Sequence, residues 1–124
     1  MEKFGKMPRF VILAHDHPEP HWDLMFECGQ VLLTWRLAAL PREKELIDAV
    51  KIVDHRLAYL DYEGPIRGGR GCVVRVEQGT YAERISTPDQ LEVHLDGERL
   101  RGRLLLERID ACLWSCSFAA DVSS

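Results

Sequence analysis

A chain of 124 residues can close one hydrophobic core and is too short for two, so residues 1–124 are expected to form a single domain. With 46% hydrophobic and 29% charged residues it belongs with ordinary globular chains, which excludes a disordered one. A formal charge of -4 excludes the broad basic footprint of a protein that tracks along duplex nucleic acid, so any nucleic-acid contact must be local.

Taken in chain order, period-two alternation dominates and helical periodicity is scarce. RFVILAH (9–15) reads as a strand, followed by WDLMFEC (22–28), a Gly29-Gln30 turn and VLLTWRLA (31–38). PREKELIDAV (41–50) reads as a helical turn or two. KIVDH (51–55), GCVVRVEQG (71–79), QLEVHLDG (90–97), RLRGRLLLER (99–108) and CLWSCSFA (112–119) are further strands, with Asp96-Gly97 a tight-turn dipeptide between two of them. GPIRGGRG (64–71) is the most flexible-looking connection and carries Arg67 and Arg70. About eight short strands with hairpin punctuation predict an all-β fold, a curved antiparallel β-barrel with one short helical segment.

The apolar runs are too short to span a bilayer. The four cysteines form no CxxC pair, and no amino-terminal stretch has the pattern of a secretory signal, so a cytoplasmic chain with free thiols is expected. Cys112 and Cys116 share parity and are expected to pack as small apolar residues on one strand.

The stretch HDHPEPHWDLMFE (15–27) concentrates metal-type ligands directly after a strand. In HWDLMFE, alternation turns Trp22, Leu24 and Phe26 to one side and His21, Asp23, Met25 and Glu27 to the other. Pro18 and Pro20 bar a helix and favour a loop that folds back, bringing His15 beside His21 and Asp23. Two imidazoles and one carboxylate make a three-ligand set suited to an open, catalytic divalent metal. The competing reading is a solvated polar loop. His17 and Glu19 read as exposed loop residues, and Asp16 as an acceptor that orients a ligating imidazole or caps a turn.

The order FVILAHDHPEPHWDLMFECGQVLLTWRLA, then VDHRLAYLDYEGPI and a Gly-rich loop, resembles the 3'-phosphoesterase domain of bacterial DNA ligase D over about residues 8–80. That family reads H-D-x-x-x-x-H-x-D-x-R-L-E, a Gly turn, a strand with Ser-Trp, a Pro-Lys-Gly segment and E-D-H-P-x-x-Y-x-x-F-E-G. The resemblance implies a β-barrel that trims DNA 3' ends, removing a terminal ribonucleoside or a 3' phosphate. It also implies one divalent ion, manganese first and zinc or another divalent ion as alternatives. His15, His21 and Asp23 take the places of the metal ligands, and His55 and Tyr59 those of the residues that hold the phosphate. Implied partners are a nucleic-acid 3' end and a DNA ligase or polymerase, with no membrane.

Three cationic positions of the family are missing. Met25 stands for an arginine, Ala38 and Ala39 for the Pro-Lys pair, and Ile47 falls near a further basic position. A thioether cannot make an arginine's bidentate contact with phosphate. Arg36, Arg67 and Arg70 are the candidate substitutes. The losses leave a second class open, a catalytically degenerate metal-binding barrel that recognises a nucleic-acid end or a protein. A third is an oxygenase or isomerase built on the same two-histidine, one-carboxylate set.

Overall fold

The structure, a computed structural model, describes residues 7–122. The strands are β1 (Arg9–His15), β2 (His21–Cys28), β3 (Val31–Leu37), β4 (Ile47–Arg56), β5 (Gly64–Pro65), β6 (Cys72–Thr87), β7 (Gln90–Gly97), β8 (Arg101–Arg108) and β9 (Leu113–Ala120). Eight of them run in the order β1-β2-β3-β4-β9-β8-β7-β6, and β6 returns to β1 to close an antiparallel barrel. The short β5 pairs only with the start of β6. No helix among the described residues is long and apolar enough to cross a membrane.

Alternation decides which side chains enter the barrel. Phe10, Ile12, Leu24, Phe26, Trp35, Leu37, Val93, Leu95, Leu104, Leu106, Trp114 and Cys116 form one buried cluster inside it. Burial contributes about 1.5–3 kcal/mol for each large side chain. Burial also pushes the Cys116 thiol up to about 12. The outer face of β1, β2 and β3 is apolar as well: Val11, Leu13, Met25 and Leu32 form a second cluster with Leu60 and Val73. Leu57, Tyr59 and Ile66 cover it from segment 57–66, which crosses back over the barrel wall. Arg9 fastens that segment by donating to Asp61 at 2.9 Å, and the guanidinium holds the Asp61 carboxyl below its ordinary value.

Four sequence expectations shift. The helical turn expected in 41–50 is absent: Lys44 has a positive φ of 64°, and from Ile47 the chain is β4. Ile47 and Ala49 point inward while Asp48 is exposed, so β-branched period-two burial overrides local helix propensity. The short helical element is instead the 3-10 turn Leu57–Leu60. GCVVRVEQG continues without a break to Thr87 as the 16-residue β6, which pairs first with β1 and then with β7.

The hairpin turn also moves. Asp96 and Gly97 remain in β7, and the turn is at Glu98-Arg99, closed by Gly97 N–H donating to the Leu100 carbonyl at 2.9 Å. The buried Glu77 carboxylate accepts the amides of Glu98, Arg99 and Leu100 and so shapes this turn. Gly97 serves close approach, since a Cβ there would lie 2.6 Å from Glu77 Oε2. Lastly, Cys112 precedes β9 and is exposed, so only Cys116 packs in the core.

Candidate metal centre and phosphate cleft

His15 ends β1 and His21 begins β2, and the antiparallel register places them opposite each other, with Leu13 opposite Asp23. All three site residues therefore lie on the outer face of the barrel wall. One donor atom from each of His15, His21 and Asp23 falls within 4.8 Å of the others. His15 Nδ1 is 3.7 Å from Asp23 Oδ2, and His21 Nε2 is 3.4 Å from Asp23 Oδ1.

Backbone carbonyls set both imidazoles. His21 Nδ1 lies 2.8 Å from the Glu19 carbonyl, and His15 Nε2 lies 2.8 Å from the Arg70 carbonyl. A carbonyl only accepts, so each of those nitrogens carries the hydrogen, and heavy-atom geometry thereby assigns the tautomers. In the neutral rings His21 Nε2 and His15 Nδ1 are left as lone pairs aimed at a carboxylate. His21 Nε2 and Asp23 Oδ1 are buried and have no hydrogen-bond partner. Converging acceptors with no donor between them repel, and a divalent cation removes that repulsion. The residues fit a metal: two imidazole nitrogens and one carboxylate oxygen, each ring held from behind by an acceptor.

His15 and Asp23 border a cleft of about 240 Å³, while His21 is buried beside them. His55 and Tyr59 line its other side, the former because Leu32 of β3 pairs with His55 of β4, the latter because the 3-10 turn carries it. The rings meet edge to face with centroids 5.7 Å apart. His55 Nδ1 donates to the Val53 carbonyl at 2.9 Å, leaving Nε2 free. His17 and Pro18 complete the rim, so His17 is part of the cleft wall and not a fully exposed loop residue.

Asp16 does not orient an imidazole. Its Oδ1 accepts the Cys72 amide at 2.8 Å, and this contact pins the Gly-rich segment. Gly71, at φ 77°, admits no side chain there: a Cβ would lie 2.1 Å from Asp16 Oδ1. With Ile66 N–H donating to the Gly71 carbonyl at 2.7 Å, GPIRGGRG is a closed hairpin, and it holds Arg70 where His15 reaches its carbonyl.

Residues 13–108 match the DNA Ligase D 3'-phosphoesterase domain. The chain belongs to this family. The multifunctional non-homologous end joining DNA repair protein LigD of Mycobacterium tuberculosis is 32% identical over 114 residues, covering 85% of this chain and 15% of that protein. The LigD proteins of Pseudomonas aeruginosa (33% over 113 residues, 81% and 13%) and Mycolicibacterium smegmatis (30% over 130 residues, 90% and 17%) are also similar. The chain thus spans between 13% and 17% of these relatives' length. The family match runs past the stretch that carried the resemblance and includes β8.

Within this phosphoesterase-family barrel the departures acquire places. Met25 lies on the ligand face as alternation requires, and at 1% exposure it forms an apolar cleft floor with Leu13 and Val73. Ile47 is buried inside the barrel and Ala39 packs against the barrel core, so neither position offers a side chain to the cleft. Of the candidate substitutes, Arg36 and Arg70 line the cleft; Arg67 lies in the groove beside it. Arg36 is the register partner of Asp23, and its Nε is 3.9 Å from Asp23 Oδ1. Sequence reasoning missed the carbonyls of Glu19, Arg70 and Val53, which leave no signal because every residue has one. It also missed Arg56 and Tyr62 in the neighbouring groove, although Tyr59 and Tyr62 in YLDYEG could have hinted at an aromatic pair.

Proposed function

We propose that the chain is a metal-dependent phosphoesterase that heals DNA 3' ends in repair, removing a terminal ribonucleoside and, more slowly, a 3' phosphate. The observation that carries this reading is the convergence of His15, His21 and Asp23, with His21 Nε2 and Asp23 Oδ1 buried and unpartnered, at a cleft whose other side carries His55 and Tyr59. His15, His21 and Asp23 would hold the ion, manganese in use, with zinc or another divalent ion compatible with the same donors. When bound, it supplies Lewis-acid polarisation of a phosphoryl oxygen and activation of water.

The rest is work for the chain's own side chains. His55, with Nδ1–H held by the Val53 carbonyl, aims Nε2 at the cleft; as the doubly protonated imidazolium it donates from Nε2 to a phosphoryl oxygen or passes that proton to the departing oxygen. The Tyr59 hydroxyl donates to another phosphoryl oxygen. Arg36 and Arg70 supply positive charge that Met25 cannot. A dianionic phosphate end needs more of that charge than a phosphodiester does, hence the slower second step. The chain would act as one phosphoesterase domain in the cytoplasm, alongside a DNA ligase or polymerase.

The test is an end-labelled primer-template with one terminal ribonucleotide, incubated with manganese. The primer is expected to lose its terminal nucleoside, leaving a 3' phosphate, then slowly to gain a 3' hydroxyl. The apolar Met25 floor favours one other reading, a non-catalytic end-binding module. End binding without product under manganese, cobalt or zinc would establish that module and end the hydrolase reading. Arg36→Ala is expected to lower kcat/KM on the primer roughly 10- to 100-fold, the scale of a charge-assisted contact of about 1.5–3 kcal/mol. Unchanged kinetics would remove Arg36 from the cleft's cationic set.

A further inference from the structure

The two arginines of the cleft are held in different ways. Arg70 Nε donates to the Arg67 carbonyl at 2.7 Å, which ties that guanidinium to its own hairpin. Arg36 Nε is buried and has no hydrogen-bond partner. It faces Asp23 Oδ1 at 3.9 Å, beyond hydrogen-bond reach, so charge alone holds the pair. Among the described residues Asp23 is the one carboxylate with which Arg36 pairs. The Arg36 side chain is 41% exposed and lines the cleft beside Met25.

One carboxylate therefore answers to two cations. Arg36 supplies positive charge to Asp23, which is only 4% exposed and needs a counter-charge. The same Oδ1 lies 3.4 Å from the unpartnered His21 Nε2, and Asp23 is one of the three converging donors. Once Asp23 serves a divalent ion together with His15 and His21, its charge is neutralised and the guanidinium stands beside a like charge. Arg36 cannot retreat with its backbone, because strand register fixes it opposite Asp23. No hydrogen bond from Nε keeps it there either, so the guanidinium is free to take a new counter-charge. The cleft is where one can enter, and its floor of Leu13, Met25 and Val73 contributes no charge of its own.

We infer that Arg36 exchanges partners, from Asp23 to a tetrahedral oxyanion in the cleft, and so links the two halves of the site. It opposes metal binding while the cleft holds no anion and favours it once a phosphoryl group is seated. By thermodynamic reciprocity the metal tightens the anion by the same factor. The inference rests on the reading of His15, His21 and Asp23 as metal ligands. Its consequence is a domain that holds its ion loosely until a phosphate end arrives.

The test is a calorimetric titration of manganese into the full chain in chloride buffer, alone and at one fixed concentration of inorganic sulfate, with no turnover involved. Sulfate stands for the phosphoryl dianion and does not precipitate manganese. In the wild type it should lower the manganese Kd on the order of ten-fold, toward the low end of couplings between sites because the side chain is partly exposed and water screens it. Arg36→Gln should bind manganese several-fold more tightly than the wild type without sulfate, a gain that a misfolded variant would not show. Sulfate should then tighten it much less than it tightens the wild type. Arg36→Lys, which keeps the charge, should stay near the wild type in both conditions, separating charge from packing. Manganese binding by Arg36→Gln that is no tighter without sulfate, or a sulfate effect undiminished in that variant, would overturn the linkage while leaving the metal centre in place. Absence of manganese binding by the wild type in both conditions would remove the metal centre and the linkage with it.

Discussion

Asp23→Ala is expected to abolish stoichiometric manganese binding in a calorimetric titration, and His21→Ala to do the same. Loss of a residue that merely orients a ligand lowers metal affinity about 10- to 100-fold. Each of these substitutions removes a donor atom from a set of three, so the loss should exceed that range. Neither side chain belongs to the barrel interior, and among the described residues Asp23 pairs with His15, His21 and Arg36. The metal-free Asp23→Ala protein is therefore expected to unfold cooperatively near the wild-type temperature, since the substitution relieves the acceptor contacts with His15 and His21 and gives up the 3.9 Å pair with Arg36. Manganese should raise the wild-type Tm by binding the folded state, and should leave the variant's Tm where it was. Unchanged affinity in both variants would show that the ion, if any, is held elsewhere.

His55→Ala is expected to slow release of the 3'-terminal nucleoside by roughly 10²- to 10⁴-fold, the usual contribution of a positioned acid-base group. Manganese affinity should not change, because His55 stands across the cleft and contributes none of the three converging donor atoms. The loss should fall on kcat more than on KM if His55 acts on the departing oxygen, and on both if it chiefly holds the phosphate. End-labelled products resolved by size and charge, followed across pH, separate these cases. Cleavage that persists at the wild-type rate would trace the activity to a contaminating nuclease.

Much of this architecture is readable from residue order. Alternation in RFVILAH and HWDLMFE separates Phe10, Ile12, Leu24 and Phe26 from the ligand face because a strand has no freedom to do otherwise. Pro18 and Pro20 preclude a helix between His15 and His21, so the two strands fold back and the histidines meet. The helical reading of PREKELIDAV failed for the converse reason: local propensity is weak, and burial of Ile47 and Ala49 between β3 and β9 outweighed it.

Local periodicity and one short connection account for the all-β class, the inward and outward residue sets and the grouping of His15, His21 and Asp23. Which imidazole nitrogens face Asp23 is set by the folded chain, because the carbonyls of Glu19 and Arg70 that orient the rings have no side-chain signature and one of them lies 55 residues from its histidine. The fold alone decided that Arg36 stands beside Asp23 while Ile47 turns inward, for register is a property of paired strands. It also decided that segment 57–71 crosses the outer wall, placing Tyr59 and Arg70 in one cleft with His15 and Asp23, and Tyr62 in the adjoining groove. Such long-range placement depends on barrel closure through β6 and β1, and no local pattern encodes that.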